Sequence, residues 1–212
     1  MTIDNQKDYW DKVAQEKTFT HPLDLDLLSN YLVKTSCLVD YGCGYGRIIQ
    51  QFFDAGYTHC TGFDTSKELI ERGKKHQNLP LHVIQEPNDL PLENESTDAI
   101  LLFAVLTCIP SNEGQKQLIQ LLQSKLKKGG ILYISDYYLQ ENSAEVKNYF
   151  HLNDDEENYG VFTLPEGATF RHHPKAWILE LTQEFEIVVE KEIEVMTMNG
   201  HIAKGFQMIL KN

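Results

Sequence analysis

Apolar positions along the chain follow two alternating rhythms. Short runs rich in Leu, Val, Ile and aromatic residues read as five strands, at Cys37–Tyr41, His59–Asp64, 81–84, 99–103 and 131–135. Between them, apolar residues recur at three- and four-residue spacing, as helices do. Ile48, Ile49, Phe52 and Phe53 mark one such face, with Gly56 as its stop. Leu118, Leu121, Leu122 and Leu126 mark another, opening at Ser111 and ending at Lys127-Lys128-Gly129-Gly130. Thr65, with Glu68 three residues on, has the form of a capping box that opens a further helix. Near the start, Tyr9, Trp10, Val13 and Lys17 share one helical face, and His21-Pro22 opens a second helix with Leu25, Leu28 and Leu32 facing inward. Strand alternating with helix predicts a parallel sheet covered on both faces.

The rhythm breaks after the fifth strand. Segments 160–164 and 168–172 flank Pro165-Glu-Gly167, which predicts a small hairpin, and Pro174 opens a short helix carrying Trp177, Ile178 and Leu181. The β-rich segments 185–195 and 203–210 surround Met198-Asn-Gly-His201 and predict a closing hairpin, with an antiparallel strand at or near the sheet edge. The expected fold is therefore α/β: a Rossmann-like, doubly wound sheet of seven strands with an antiparallel terminal hairpin and a small insertion after strand five.

The chemistry gathers at Asp40-Tyr-Gly-Cys-Gly-Tyr-Gly46, on the turn from the first strand to the next helix. Glycines at such a turn let a ligand approach the backbone closely. Asp64 ends the second strand, from which a carboxylate can accept hydrogen bonds from ribose hydroxyls. A dinucleotide site requires Gly-x-Gly-x-x-Gly, but Arg47 stands where its third glycine would be. S-adenosylmethionine (SAM) has no pyrophosphate and carries an α-ammonium, which suits the acidic Asp40.

Asp40–Gly46 resembles motif I of class I SAM-dependent methyltransferases of the small "type 11" kind, and Gly62-Phe-Asp-Thr-Ser66 is similar to their second motif. Leu90-Pro-Leu followed by Thr97-Asp-Ala-Ile100 resembles the block before their fourth strand, and Leu126-Lys-Lys-Gly-Gly-Ile-Leu132 the turn before their fifth. The match runs in register over residues 36–135. It implies methyl transfer to an acceptor by in-line displacement, giving S-adenosylhomocysteine (SAH), with a small molecule as the expected acceptor. It implies that Gly42, Cys43 and Gly44 admit the methionine moiety and that Asp40 reaches its ammonium. Asp64 and Thr65 would hold the ribose, and Phe103, Ala104 and Val105 would line the floor near the sulfonium. At the adenine, the family's acidic–small pair falls on Glu86-Pro87; Pro87 has no N–H, so Asn88 or Asp89 is expected to supply the polar contact, with Leu90 packing on the ring. Arg47 is expected to pair either with the SAM carboxylate or with Asp8, Asp11 or Glu16. Tyr9 and Trp10, with Phe19, would form a lid. The chain is expected to be one methyltransferase domain over 1–212, with 1–34 as a helical lid and 137–173 as the acceptor-side insertion.

Candidates for a base are His151, His172, His173 and Tyr137; histidine titrates near neutrality. His172 and His173 cannot both face one pocket from a strand, because side chains alternate. No metal is expected. Of Tyr137 and Tyr138, one should face the pocket, and His201 is expected in solvent. The acidic run Asp154-Asp-Glu-Glu157 reads as a solvated loop or as an attractor for a cationic acceptor.

The net charge of −12 disfavours nucleic acid, whose binding needs a positive surface. With no long apolar run and no paired cysteine motif, the chain is expected to be cytoplasmic, with reduced thiols, no membrane contact, and a monomeric or homodimeric state. The competing readings are a nicotinamide-dependent oxidoreductase, a catalytically silent SAM-binding module, and an enzyme acting on RNA or protein.

Overall fold

A computed structural model describes residues 3–76, 78–141, 148–152 and 158–212. Strands β1 (Cys37–Tyr41), β2 (His59–Asp64), β3 (Leu81–Val83), β4 (Thr97–Phe103) and β5 (Leu126–Tyr137) are parallel, and β9 (Glu186–Met196) and β10 (Ile202–Lys211) form the closing hairpin. The sheet order is β3-β2-β1-β4-β5-β10-β9, with β10 antiparallel to both of its neighbours. The seven-stranded doubly wound α/β fold is as expected. A second sheet, β6-β7-β8, comprises Phe150–His151, Tyr159–Thr163 and Thr169–Arg171. It contains the predicted hairpin and one further strand.

Two apolar clusters, one on each face, hold the large sheet. Along β4, Ile100 and Leu102 join Leu118, Leu122 and Ile178 on one side, while Ala99 and Leu101 join Ile49 and Phe52 on the other. A strand buried on both faces reads as a continuous apolar run, which is why β1 and β4 were legible. The helices are α1 (Lys7–Val13), α2 (Leu25–Leu28), α3 (Arg47–Asp54), α4 (Lys67–His76), α5 (Asn112–Lys125) and α6 (Lys175–Leu181).

Several boundaries differ from the expectation. The α5 helix stops at Lys125, and Leu126 already lies in β5 opposite Thr97. The register shift between Thr97 and Ala99 absorbs Lys127–Gly130, with Gly129 at φ 77°. Lys-Lys-Gly-Gly is thus an irregular strand start, and Leu126 belongs to the sheet. The cap of α4 is Ser66 rather than Thr65: Leu69 N–H donates to Ser66 Oγ at 3.2 Å. The reciprocal bond expected of Glu68 is made by Asp64, which accepts from Ser66 N–H at 2.8 Å, and Asp11 of α1 accepts from Ser66 Oγ (2.6 Å) and Glu68 N–H (3.0 Å). The α1 helix ends at Val13, short of Lys17, because Arg72 takes the carbonyls of Ala14 and Lys17, both at 2.7 Å.

The small sheet is bolted to the large one through Arg171. This fully buried side chain donates to the carbonyls of Tyr159 and Pro110 and to Asn112 Oδ1, and it lies over Trp177. The acidic run 154–157 lies outside the described residues.

The turn after β1 leans on α4 at Gly73, where a Cβ would sit 2.5 Å from the Tyr45 carbonyl oxygen. Backbone cannot yield as a side chain can, so Gly73→Ala should cost about 1–3 kcal/mol, read from the urea midpoint. A midpoint equal to the parent's would contradict this packing.

Candidate active site

The carboxyl ends of β1, β2, β4 and β5 meet where the strand order reverses, the usual ligand crevice of such sheets. A cavity of about 490 Å3 lies there, within the ordinary range for small-molecule sites. The glycine turn forms one wall. Gly42, Gly44 and Gly46 have φ of 73°, 53° and 80°, which side chains disfavour. The N–H groups of Gly42 and Cys43 both donate to the Phe63 carbonyl, at 2.8 and 3.1 Å, and tie the turn to β2. A Cβ on Gly42 would stand 2.6 Å from Val105 Cγ2, so the segment after β4 closes directly on the turn.

Two buried carboxylates flank that turn in unequal circumstances. Asp64 accepts from Gly44 N–H and Ser66 N–H, each at 2.8 Å. Burial raises its pKa to about 6, with those hydrogen bonds pulling the other way. Among the described residues, Asp40 has no hydrogen-bond partner at either oxygen. Burial lifts it to about 8 despite the nearby Arg47 cation. Arg47 donates to the His21 carbonyl, and its buried Nε has no partner. A third carboxylate, Asp136, is raised by burial to about 7 and accepts from the N–H groups of Tyr137 (2.8 Å) and Thr107 (3.2 Å).

Among the expected cofactor residues, Trp10, Asp40, Gly42, Cys43, Arg47, Asp64, Thr65, Phe103, Ala104 and Val105 line the cavity. Gly44 does not, because Phe19 lies over it: a Cβ there would meet the ring at 2.1 Å. Tyr9 is also off the cavity, its ring packed edge-on against Trp10 and Phe170. Asn88 and Asp89 point into solvent, and Leu90 packs in the core. Pro87 lines the cavity instead, its carbonyl accepting from Tyr41 Oη at 2.6 Å. Arg47 meets none of Asp8, Asp11 or Glu16 in an ion pair among the described residues.

Of the candidate bases, Tyr137 and His172 line the cavity. His151 is exposed on β6, away from it. His173 is wholly buried on the other side of the chain from His172, with Nε2 3.8 Å from Asp136 Oδ1. Its burial, with Arg171 nearby, holds its pKa well below normal, so it stays neutral. His201 is exposed, as expected, yet stands at the cavity wall beside Met198 and Ile202. His21 was read only as part of a turn. It is 3% exposed, lines the cavity, shares a 3.1 Å hydrogen bond between Nδ1 and Ser135 Oγ, and leaves Nε2 without a partner. Nothing in the local pattern around His21-Pro22 signals this, because Ser135 is far away in sequence.

A methyltransferase-domain family model matches residues 33–197. The chain belongs to the methyltransferase-domain family. Its cofactor is SAM, and the nicotinamide reading falls. The residues of the site fit the cofactor: the amino-acid end of SAM carries an ammonium and a carboxylate, and the cavity offers an unpartnered carboxylate at Asp40 and an unpartnered N–H at Arg47 beside a glycine. In structure, the methyltransferase is similar to a SAM-dependent methyltransferase from Methanosarcina mazei, with a TM-score of 0.78 and 23% identity over 90% of this chain and 99% of that one. It is also similar to the 1,6-didemethyltoxoflavin-N1-methyltransferase of Burkholderia thailandensis, with a TM-score of 0.64 and 14% identity over 88% and 75% of the two chains. In sequence it is 30% identical over 136 residues to the ribosomal protein L11 methyltransferase of Shewanella halifaxensis, a match covering 63% of this chain and 45% of that relative. The matched segment thus spans less than half the length of the curated relative. No helix among the described residues is long and apolar enough to cross a membrane, and the four cysteines are unpaired.

Buried acids make the ligand-free methyltransferase sensitive to pH. Asp40 and Asp136 hold protons when folded that they release when unfolded, so the stability this gives is lost as pH rises through about 8 and about 7. His21 and His173 act oppositely, but only below their unfolded pKa of about 6.5. The melting temperature should therefore fall between pH 6.5 and 8.5, and Asp40→Asn should flatten the fall. An unchanged slope in that variant would contradict the protonation of Asp40.

Proposed function

We propose that this methyltransferase transfers the methyl group of SAM to a small molecule held in the cavity. The observation that carries this reading is the roof. Trp10 and Phe19, Phe162 and Phe170 of the small sheet, and Met198 of the terminal hairpin line the cavity from three separate parts of the chain and partly cover it. Polar staples hold it down. Gln6 donates to the carbonyls of Cys108 (2.9 Å) and Thr169 (2.5 Å) and accepts from Thr169 N–H (2.8 Å). Asp4 accepts from Ser111 Oγ, and Lys17 donates to Asn199 Oδ1 at 3.2 Å. A cavity partly covered in this way suits a free small molecule better than the surface of a folded protein.

In this reading Asp40 takes the ammonium of SAM and Arg47 its carboxylate, while the backbone of Gly42 and Cys43 borders the methionine chain. Asp64, already oriented by Gly44 and Ser66, holds the ribose with Thr65. The adenine rests on Phe63, Ile84 and Pro87, which line the cavity in place of Asn88 and Asp89. Phe103, Ala104 and Val105 form the floor near the reacting centre, with Ala104 at an unfavourable φ of 55°. SAM supplies an electrophilic methyl group on a sulfonium. The chain aligns the acceptor with it and excludes water, which is worth as much as about 7–11 kcal/mol of barrier. Residues 1–34 act as the lid and 137–173 as the acceptor-side segment of a single domain.

The curated relatives are named for ribosomal protein L11, which favours a protein acceptor as the second reading. Incubation with methyl-labelled SAM, a metabolite extract and purified ribosomal protein separates the readings. Label in the small-molecule fraction is the expected result; label in protein alone overturns the proposal. Tight SAH binding with no labelled product would mean a silent module. At the cofactor, Asp64→Ala should weaken SAH at least tenfold by calorimetry, since even one charge-assisted hydrogen bond at the lower end of its range, about 1.5 kcal/mol, is worth that much. Unchanged affinity would remove Asp64 from the ribose.

A further inference from the structure

Six rings follow one another around the acceptor half of the cavity, the first and last contacts edge to face and the three between them tilted. His21 stands 4.4 Å from Tyr137, Tyr137 5.2 Å from His172, and His172 4.8 Å from Phe162. Phe162 lies 6.1 Å from Phe170, and Phe170 6.0 Å from Trp10. All six line the same space. Rings in this arrangement offer both faces and edges to another flat ring.

The polar points along this arc are few. His172 is engaged through Nδ1 with Tyr149 Oη at 2.5 Å, and Tyr149 also accepts from Gln140 N–H at 3.3 Å. His21 is different: Ser135 holds Nδ1, and Nε2 is buried without a partner among the described residues, in a side chain only 3% exposed. We propose that the acceptor is a neutral planar aromatic molecule whose transferring O–H or ring N–H hydrogen-bonds to His21 Nε2, an inference that rests on the SAM-dependent reading above.

Charge separates this acceptor from the cationic amine that an aromatic cage could also hold. The groups packed around His21 are Arg47 of α3, Ser135 and Tyr137 of β5, and His172 beyond β8. Arg47 donates to the His21 carbonyl, and with burial and His172 it pushes the imidazole down to about 3. His21 is therefore neutral at working pH, and the field beside it is positive. An ammonium would be repelled there, whereas an acceptor that gains negative character as its proton leaves is favoured. Of the carboxylates that line the cavity, Asp40 and Asp64 flank the glycine turn and are engaged by the cofactor in this reading, and Asp4 accepts from Ser111 Oγ.

The step balances with no further reagent. With Nδ1–H donating to Ser135 Oγ, Nε2 presents its lone pair to the cavity. The acceptor's oxygen or nitrogen pair bonds to the methyl carbon as the carbon–sulfur bond breaks, its pair remaining on sulfur. The acceptor's proton passes to Nε2 and then to water. A methylated oxygen cation is a far stronger acid than imidazolium, so even a weak base takes this proton.

Calorimetry on the SAH-saturated protein tests the inference with 2-naphthol, 2-methoxynaphthalene and 2-naphthylmethylammonium as probes. His21→Phe keeps a ring and removes Nε2. It should weaken 2-naphthol at least fivefold while leaving 2-methoxynaphthalene and SAH within twofold, and 2-naphthol should bind the parent more tightly than the ammonium probe does. Ser135→Ala, which frees Nδ1 without touching the cavity wall, should give a smaller loss of the same selectivity and stands in if the first variant fails to fold. Equal losses for both neutral probes, tighter binding of the ammonium, or SAH binding with no naphthol binding would each overturn the proposal. A protein that fails to bind SAH would instead overturn the cofactor assignments beneath it.

Discussion

Two carboxylates stand buried at the ends of adjacent parallel strands, and the surrounding architecture is arranged around the cost of holding them there. Burying an ionised carboxylate is expensive unless it is paired or hydrogen-bonded. Asp64 receives two backbone N–H groups, which requires Gly44 to turn back toward β2 and Ser66 to open α4 beside it. Asp40 receives none, and the two pKa values, about 6 and about 8, follow that difference. The unsatisfied acid, the unpartnered Arg47 Nε and the bare Gly42 backbone together describe the charge pattern of an amino acid. The cofactor completes a polar network that the chain leaves open on one side.

Asp136 shows what a buried acid looks like when the chain itself satisfies it. It takes the N–H groups of Thr107 and Tyr137 and stands against the buried His173. Those bonds fix the 3-10 turn Leu106–Cys108 after β4 and, with Ser135 O accepting from Ala104 N–H at 2.8 Å, hold Ala104 in its left-handed conformation. The floor of the cavity is therefore set from below by a structural carboxylate. His173 serves that structure, while His172, one residue earlier, turns to the other side and the cavity.

What could be read from the sequence was what lies within one continuous stretch. The turn from Asp40 to Arg47, the acid at Asp64 and the strands on either side are local, so spacing alone located them. Leu126 was misread because apolar periodicity cannot tell the last turn of a helix from the first residue of a buried strand. Asn88 and Asp89 were chosen for their polarity, but Pro87 is the residue drawn inward, its carbonyl held by Tyr41 from another strand. Alternation separated His172 from His173 without saying which faced the cavity. His21 carried no signal, because what makes it notable is its contact with Ser135 and Tyr137, more than a hundred residues away in sequence.

Floor and roof are held by different forces, and this matters for how a covered site can exchange its contents. The floor belongs to the sheet, whose side chains sit in two continuous apolar clusters. Opening it would expose core surface at about 25 cal/mol per Å2. The roof rests on α1 and its flanks through Gln6, Asp4, Asp11 and Lys17, with the aromatic contacts of Trp10 and Phe19 beneath. Each of those hydrogen bonds is worth about 1 kcal/mol net, because water replaces it when it breaks. Parting the N-terminal segment from the small sheet breaks these bonds and the contacts of Tyr9 and Trp10 with Phe170, while leaving in place the strands that carry the cofactor residues. The cover that favours a small acceptor and the route by which product leaves therefore depend on the same contacts of the N-terminal segment, polar at Gln6 and Asp4 and aromatic at Tyr9 and Trp10.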